Sequence, residues 1–556
     1  MVKGKKAFSI LLVVLVLVLS FAGCSKKEPK ETITGPKTEA KEEGFKTETK
    51  SHEIEDGPGW KQDTSKADIQ WYINFSWFPR RWGDDITSQM ITEKTGINIE
   101  YIVPAGNEAE KLNSMIASNT LPDLVTLGWW EPQVKQMIES GLVYSLTELA
   151  DQYDPYFYEV ADEAKLGWYR EDDGQSYAYP NSSYSPSDYD KYPVMSNQTF
   201  LVKKDIYEAI GSPDMRTPEG FVAALKKAKE KFPMVNGQPL IPLGTTEFSD
   251  IGSDSFKGYL QNHLAIPFEK DGKIYDRDTD PDYIMWLKTF RQANEDGLIA
   301  KDIFIDKRAQ MEEKVAQGRY FAMMVQNWDY QGQQKSLYQQ DPNSVYIAVP
   351  GPANTNLDNP TLAGQGIAGW TVTLISKNTK NPERAIKFLS YMISEEGQHD
   401  IYFGKEGVMW ETVNGKDTYL PDIYELKQKD NDAFEKQYGG MSTHWMFQDN
   451  AMFSKWEPPL EEPLKQPQEW TKPYVTYFGQ YDDADPIPTS EEGIGVTKIN
   501  NKWGQVLPQL ILAKTEAEFD EVFKDYIAYR DQQGWDKIQQ FRQNKYKINK
   551  EKLGLK

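Results

Sequence analysis

The chain is poor in the residues that build cross-linked or catalytic sites. Its one cysteine, Cys24, stands alone among 556 residues, which excludes an internal disulfide and any thiolate zinc cluster. The four histidines, His52, His263, His399 and His444, are dispersed, with no zinc spacing and no Ser/His/Asp arrangement among them. No metal and no cofactor is therefore expected. Positive charge is also scarce: 63 Lys and Arg face 84 Asp and Glu, a formal net charge of −21. That balance argues against a nucleic-acid partner, which rewards clustered cations. No Walker A lysine loop occurs, so the chain cannot itself harness nucleotide hydrolysis. After residue 24 no apolar run reaches membrane length.

What is present begins at the first residues. Lys3, Lys5 and Lys6 precede an apolar stretch over 8–19, then Ala22 and Gly23. The stretch is too short to span roughly 30 Å of hydrocarbon, and its order of basic, apolar and small residues is that of an export signal over 1–23. Phe21-Ala22-Gly23-Cys24 resembles the lipobox of bacterial lipoproteins, with Phe21 where Leu is usual. The resemblance implies cleavage before Cys24, lipidation of its sulfur, and attachment to the cell membrane by that lipid alone, facing outward. The plain alternative is a secreted protein with an incidental cysteine. Residues 24–66, rich in Lys, Glu, Thr and Gly as in Lys37-Thr38-Glu39-Ala40-Lys41-Glu42-Glu43, bury too little to fold and read as a disordered tether.

The remainder is long enough for two cores. Alternation at Ile69, Trp71 and Ile73 predicts a strand. A helix from Asp85 to Gly96, a strand at Ile97, Ile99 and Tyr101, and a buried strand over 124–127 continue an α/β order. A second such order starts at Phe200-Leu201-Val202. Thr217-Pro218-Glu219 caps a helix with Phe221, Ala224, Leu225, Ala228 and Phe232 on one face. Further strands are predicted over 320–325, 344–349 and 370–375, and the last forty residues read as helix. Aromatic residues make up 13%, with 16 Trp and 31 Tyr, and such rings suit sugars, which present C–H patches between hydroxyls.

Several segments resemble, in order, a known family. They are Leu121-Pro122-Asp123-Leu124-Val125, Ser140-Gly141-Leu142-Val143-Tyr144-Ser145-Leu146-Thr147-Glu148-Leu149, Phe200-Leu201-Val202-Lys203-Lys204-Asp205, Glu295-Asp296-Gly297-Leu298-Ile299 and Gly318-Arg319-Tyr320-Phe321-Ala322-Met323. The most specific is Asn381-Pro382-Glu383-Arg384-Ala385-Ile386-Lys387-Phe388-Leu389-Ser390-Tyr391-Met392, followed by Ser394-Glu395-Glu396-Gly397-Gln398 and Tyr402-Phe403-Gly404-Lys405-Glu406-Gly407. Together they resemble extracellular solute-binding proteins of family 1, the maltodextrin-binding-like group, and within it the LplA-like lipoproteins. The resemblance implies a two-lobed α/β fold of the type II periplasmic-binding-protein kind, with a hinge and an interlobe ligand cleft. By that analogy lobe 1 comprises 68–196 plus 320–365, and lobe 2 comprises 197–319 plus 366–550. It further implies a monomeric, non-enzymatic binder that captures an oligosaccharide by lobe closure and delivers it to the permease subunits of an ABC importer, powered by a separate ATPase.

Ligands of such sheets meet loops at strand ends. Four of these loops carry tryptophan, so Trp77, Trp129, Trp328 and Trp370 are the expected stacking residues, with Asn74, Asn327, Asp329 and Arg80 as hydroxyl partners. Trp410 is a weaker candidate. For any single Trp, packing between loop and sheet is an equal alternative. Gly364-Gln365-Gly366-Ile367-Ala368-Gly369 matches a dinucleotide fingerprint literally but precedes a strand, and reads as a crossover. Asp276-Arg277-Asp278-Thr279-Asp280 has Pro281 where a calcium loop needs glycine and reads as a solvated acidic turn. Two rivals share the composition: a surface polysaccharide hydrolase or lyase, which needs two carboxylates flanking the scissile bond, and the same fold binding a peptide or other solute.

Overall fold

The computed structural model describes residues 57–555, apart from Pro79 and Thr489; the export signal and Cys24 lie outside that range. Nine strands form two main sheets: β1 (Ala67–Ile73), β2 (Ile97–Ile102), β3 (Leu124–Gly128), β4 (Ala178–Pro180), β5 (Gln198–Lys203), β6 (Ile241–Thr245), β7 (Tyr320–Gln326), β8 (Tyr346–Ala348) and β9 (Thr371–Ile375). The first sheet has the order β2-β1-β3-β9-β4 and the second β8-β5-β7-β6. In the first, β1 runs parallel to β2 and β3, and β9 runs antiparallel to β3, with Thr371 opposite Gly128. In the second, β7 is antiparallel to β5 and parallel to β6.

These pairings correct the expected lobe boundaries. Strand β7, assigned from the sequence to the first lobe, lies in the second sheet, and β9, assigned to the second, lies in the first. Tyr320 to Val325 are buried throughout, so β7 fits only an interior slot, and tertiary packing rather than local pattern decides which sheet supplies it. One hydrophobic core accordingly joins residues from 60–179 to residues from 375–453, and the other joins residues from 200–349 to residues from 496–538.

Local signals place the elements as the sequence leads one to expect. Asp85 caps helix Ile86–Thr95 by accepting from Ser88 N, and Gly96 ends it at φ 72. A Cβ on Gly96 would lie 2.2 Å from the Thr64 carbonyl oxygen, so glycine is required there for both conformation and space. Thr217 caps helix Pro218–Lys231 through Gly220 N. Helix Pro382–Ile393 sends Ala385, Ile386, Phe388, Leu389, Tyr391 and Met392 into the first core. The last three helices span Glu491–Leu512, Glu516–Gln532 and Trp535–Lys552.

The ordered part starts earlier than the expected tether end at residue 66. Gly59–Gln62 form a helical turn that buries Trp60 edge-on against Tyr391 at 4.8 Å, one large ring being enough to dock a polar segment. The turn at Arg277–Thr279 is not a solvated acidic loop either: Asp278 is buried, and Arg530 donates to Asp276 at 3.1 Å. Among the described residues no group of His, Cys, Asp and Glu is placed to hold a metal ion, and no helix is long and apolar enough to cross a membrane.

The chain crosses between the sheets after β4, before β9, and again between 453 and 462. The first two crossing segments lie beside 471–476, the stretch that follows the third. Ser196 Oγ donates to the Ala363 carbonyl at 2.7 Å, Ser196 N donates to Thr471 Oγ1 at 3.2 Å, and Leu362–Ala363 pair in parallel with Val475–Thr476. The glycine-rich stretch falls in the second crossing, as expected, and enters β9.

Candidate functional site

Both sheets send the hinge out from one end, and that end carries the tryptophans. In the first lobe it comprises the ends of β1, β3 and β4 and the start of β9, tied where Trp370 N donates to the Asn181 carbonyl at 3.2 Å. In the second it comprises the start of β5 and the end of β7, tied where Asn327 N donates to the Asn197 carbonyl at 2.9 Å. Adjacent strands lie about 4.8 Å apart, so the loops following β1 and β3 and preceding β9 are forced into one patch.

Four rings interlock in that patch. Trp77 is 55% exposed and lies parallel to Trp370, with centroids 6.1 Å apart and planes 9° apart. Trp370 rests on Trp445 at 4.7 Å and on Phe75 at 5.6 Å. Trp445, delivered by the turn Trp445–Phe447, is buried beneath them, and its carbonyl accepts from Asn181 Nδ2 at 2.7 Å. Beside this stack stand Trp129 and Trp130, edge to face at 6.0 Å. Trp129, the residue expected to stack, is half-buried against Ile367 and Leu127 and their neighbours. Trp130 is 53% exposed and folds back over Gly128, where a Cβ would meet its ring at 2.7 Å. The sequence shows both tryptophans but not which faces outward, because the strand has already ended at Gly128 and its alternation no longer applies to either.

Across the hinge, Trp328 is 59% exposed on the turn Asn327–Asp329 that ends β7. Arg308 fixes this turn: its Nη2 donates to the Trp328 carbonyl at 2.7 Å and its Nη1 lies 3.2 Å from Asp329. Trp410 lies elsewhere, packed on His399 at 4.9 Å and Phe403 at 5.7 Å.

The four expected hydroxyl partners are engaged with other groups of the protein. Asn74 is 2% exposed; it accepts from Tyr72 Oη at 2.9 Å and donates to Glu131 at 2.6 Å. Asn327 is buried, donating through Nδ2 to the Ser196 carbonyl at 3.4 Å and accepting from Tyr330 Oη at 3.1 Å. Asp329 accepts from Gln326 N at 3.3 Å besides pairing with Arg308, and burial raises its pKa. Arg80 forms an ion pair with Asp432 at 2.7 Å. In each case the side chain satisfies a backbone or side-chain partner that sequence spacing cannot reveal.

Two carboxylates not singled out from the sequence hold the aromatic loops. Glu131 accepts from Gly128 N at 2.8 Å as well as from Asn74, and its burial raises its pKa. Glu108 accepts from Ser76 N at 3.1 Å, and those Ser76 hydrogen bonds lower its pKa. A separate groove of about 800 Å³ lies away from these rings, lined among others by Asp68, Gln70, Asn98, Glu100 and Asp123.

Two α/β sheets joined by parallel hinge segments, with exposed rings at the hinge ends of both, define a two-lobed solute-binding fold. The sequence comparison agrees: a model of the bacterial extracellular solute-binding protein family matches residues 88–407, and the chain belongs to that family. The fructooligosaccharide ABC transporter substrate-binding protein FusA of Streptococcus pneumoniae is 24% identical over 238 residues, 41% of this chain and 43% of FusA, so the match spans less than half of that relative. Lipoprotein LipO of Bacillus subtilis is 23% identical over 376 residues, 66% of this chain and 70% of LipO. Among solved structures, FusA in complex with kestose has a TM-score of 0.61 at 17% identity, covering 86% of this chain and 99% of that one. An HMO-binding, ABC-transporter-associated solute-binding protein from Bifidobacterium longum infantis has a TM-score of 0.63 at 17% identity, covering 87% and 99%. The alginate-binding protein AlgQ2 has a TM-score of 0.59 at 19% identity, covering 87% and 98%.

Proposed function

We propose that this protein is the extracytoplasmic substrate-binding component of an ABC importer and that its cargo is an oligosaccharide, bound without cleavage between the lobes. The observation that carries the reading is the exposure of Trp77 and Trp130 on one lobe and Trp328 on the other, all at the ends from which the hinge departs. Water-exposed rings of this size gain most when a ligand with apolar patches covers them. Rotation about the parallel hinge segments brings the two sets together around the ligand, which favours the closed form only by binding it more tightly than the open one. Permease subunits and a separate ATPase then take the cargo inward, and the protein works as a monomer. Lipidation at Cys24, in keeping with the lipoprotein among its relatives, holds it at the outer face of the membrane.

The test is a thermal-shift screen of the purified protein against an oligosaccharide panel. Native-state binding adds RT ln(1 + [L]/Kd), about 2.7 kcal/mol at a hundredfold excess over Kd, and a rise in melting temperature with one sugar group is the expected result. A rise with peptides and none with any sugar overturns the carbohydrate assignment while leaving the fold untouched.

A further inference from the structure

The groups that hold the aromatic loops in place are mostly carboxylates. Glu108 receives the backbone N–H of Ser76, next to Trp77. Glu131 follows Trp130 and is fixed by Gly128 N and Asn74. On the other lobe Asp329 adjoins Trp328, while Glu247 accepts from Arg308 N at 2.8 Å and Glu312 from Arg308 Nε at 2.7 Å. The cations among these loops are engaged by neighbouring groups, apart from the exposed Arg81, which lines the groove away from the rings. Arg308 is shared by Asp329, Glu312 and Glu247. Lys111, on the helix that starts at Glu108, donates to the Val103 carbonyl at 2.9 Å and lies over the Tyr72 ring. Arg80 is paired with Asp432. Five carboxylates against Arg308 and Lys111 leave the loops net negative, on a chain already at −21.

Resting on the carbohydrate reading above, we infer that the cargo is a neutral oligosaccharide and that chains of uronic acids or sulfated sugars are rejected. Carboxylates accept hydrogen bonds from sugar hydroxyls, while the tryptophan faces cover C–H patches. An anionic sugar unit laid on the same rings faces like charge from both lobes, and closure removes the water that screens it. Specificity of this kind comes from a repulsive element as much as from an attractive one.

Calorimetric titration of the purified protein tests this with matched trisaccharides to pentasaccharides: fructo-, xylo- and gluco-oligosaccharides on one side, oligogalacturonates and oligoalginates on the other. The expected result is binding of a neutral series with at least about tenfold preference over every uronate. Raising ionic strength from about 0.02 M to about 0.5 M should narrow that ratio, and so should Glu108→Gln, which removes an exposed charge without touching a ring. Uronate affinity equal to or above the neutral series overturns the inference and leaves the importer reading standing. Binding of neither series overturns the carbohydrate reading itself, and the inference falls with it.

Discussion

The two lobes present their tryptophans in opposite ways. On the first, Trp77, Trp370, Trp445 and Phe75 are locked ring on ring, so the surface is assembled before any ligand arrives. On the second, Trp328 projects from a three-residue turn held by Arg308, and among the described residues no other ring is stacked on it. A preassembled surface loses little side-chain entropy on binding, whereas a projecting ring must be immobilised. On the proposed reading, the difference gives an order of events: the ligand settles on the first lobe, and the second lobe adds Trp328 on closure.

The largest effect should come from removing the base of the stack. Trp445→Ala empties a buried site and should cost about 3–5 kcal/mol of stability, seen as a lower urea midpoint, and should weaken binding because Trp370 and Trp77 lose their support. Trp328→Ala should leave the midpoint nearly unchanged, since the ring is 59% exposed. Equal destabilisation by the two would erase the contrast between the lobes.

Binding kinetics sharpen the contrast. Trp77→Ala should cost about 1–2 kcal/mol of affinity, roughly five- to thirtyfold, with slower capture as well as faster release. Trp328→Ala should act on the dissociation rate alone, because its contact forms after encounter. Stopped-flow tryptophan fluorescence separates the rates, and a slowed association in the Trp328 variant would place that ring in the first encounter.

Much of this was legible in the residues and some was not. Strand and helix positions followed from alternation, from the Asp85 and Thr217 caps and from Gly96, because these signals act within a few residues. The exchange of β7 and β9 between sheets was not legible, because both are short apolar runs and nothing local names their partners. The same divide holds at the site. Trp77 and Trp328 are exposed where loop position placed them, but the choice of Trp129 over Trp130 depended on which ring Gly128 allows to fold back. The partners of the polar candidates were not legible either: Asn74, Asn327 and Asp329 each combine a neighbour two or three residues away with a group from another segment, Glu131, Ser196 and Arg308 respectively.

A smaller effect is expected at the hinge. Burial pushes the pKa of Asp482 up to about 6 from 3.8, even though Ala368 N donates to it at 3.2 Å. Its folded pKa is raised, so its favourable contribution is full below pH 3.8 and is lost as pH rises through about 6. Allowing for partial exposure, the loss is about 1–2 kcal/mol. Asp482→Asn cannot ionise, so the variant should match the parent near pH 4 and exceed it in stability at pH 7.5. Melting curves across that range give the difference directly, and parallel curves for the two proteins would show that Asp482 does not titrate at the crossing.

The smallest effect expected belongs to Arg80, the residue whose reading changed most between sequence and structure. Its partner Asp432 is 85% exposed at the side chain, and an ion pair so open to water contributes about 0–1 kcal/mol. Arg80→Ala should therefore shift the melting temperature by only a degree or two and leave oligosaccharide affinity unchanged. A tenfold loss of affinity with intact stability would mean that the guanidinium leaves Asp432 when the lobes close and reaches the ligand. The first lobe would then contribute a cation as well as rings, and its removal in Arg80→Ala should strengthen the preference for neutral sugars over uronates.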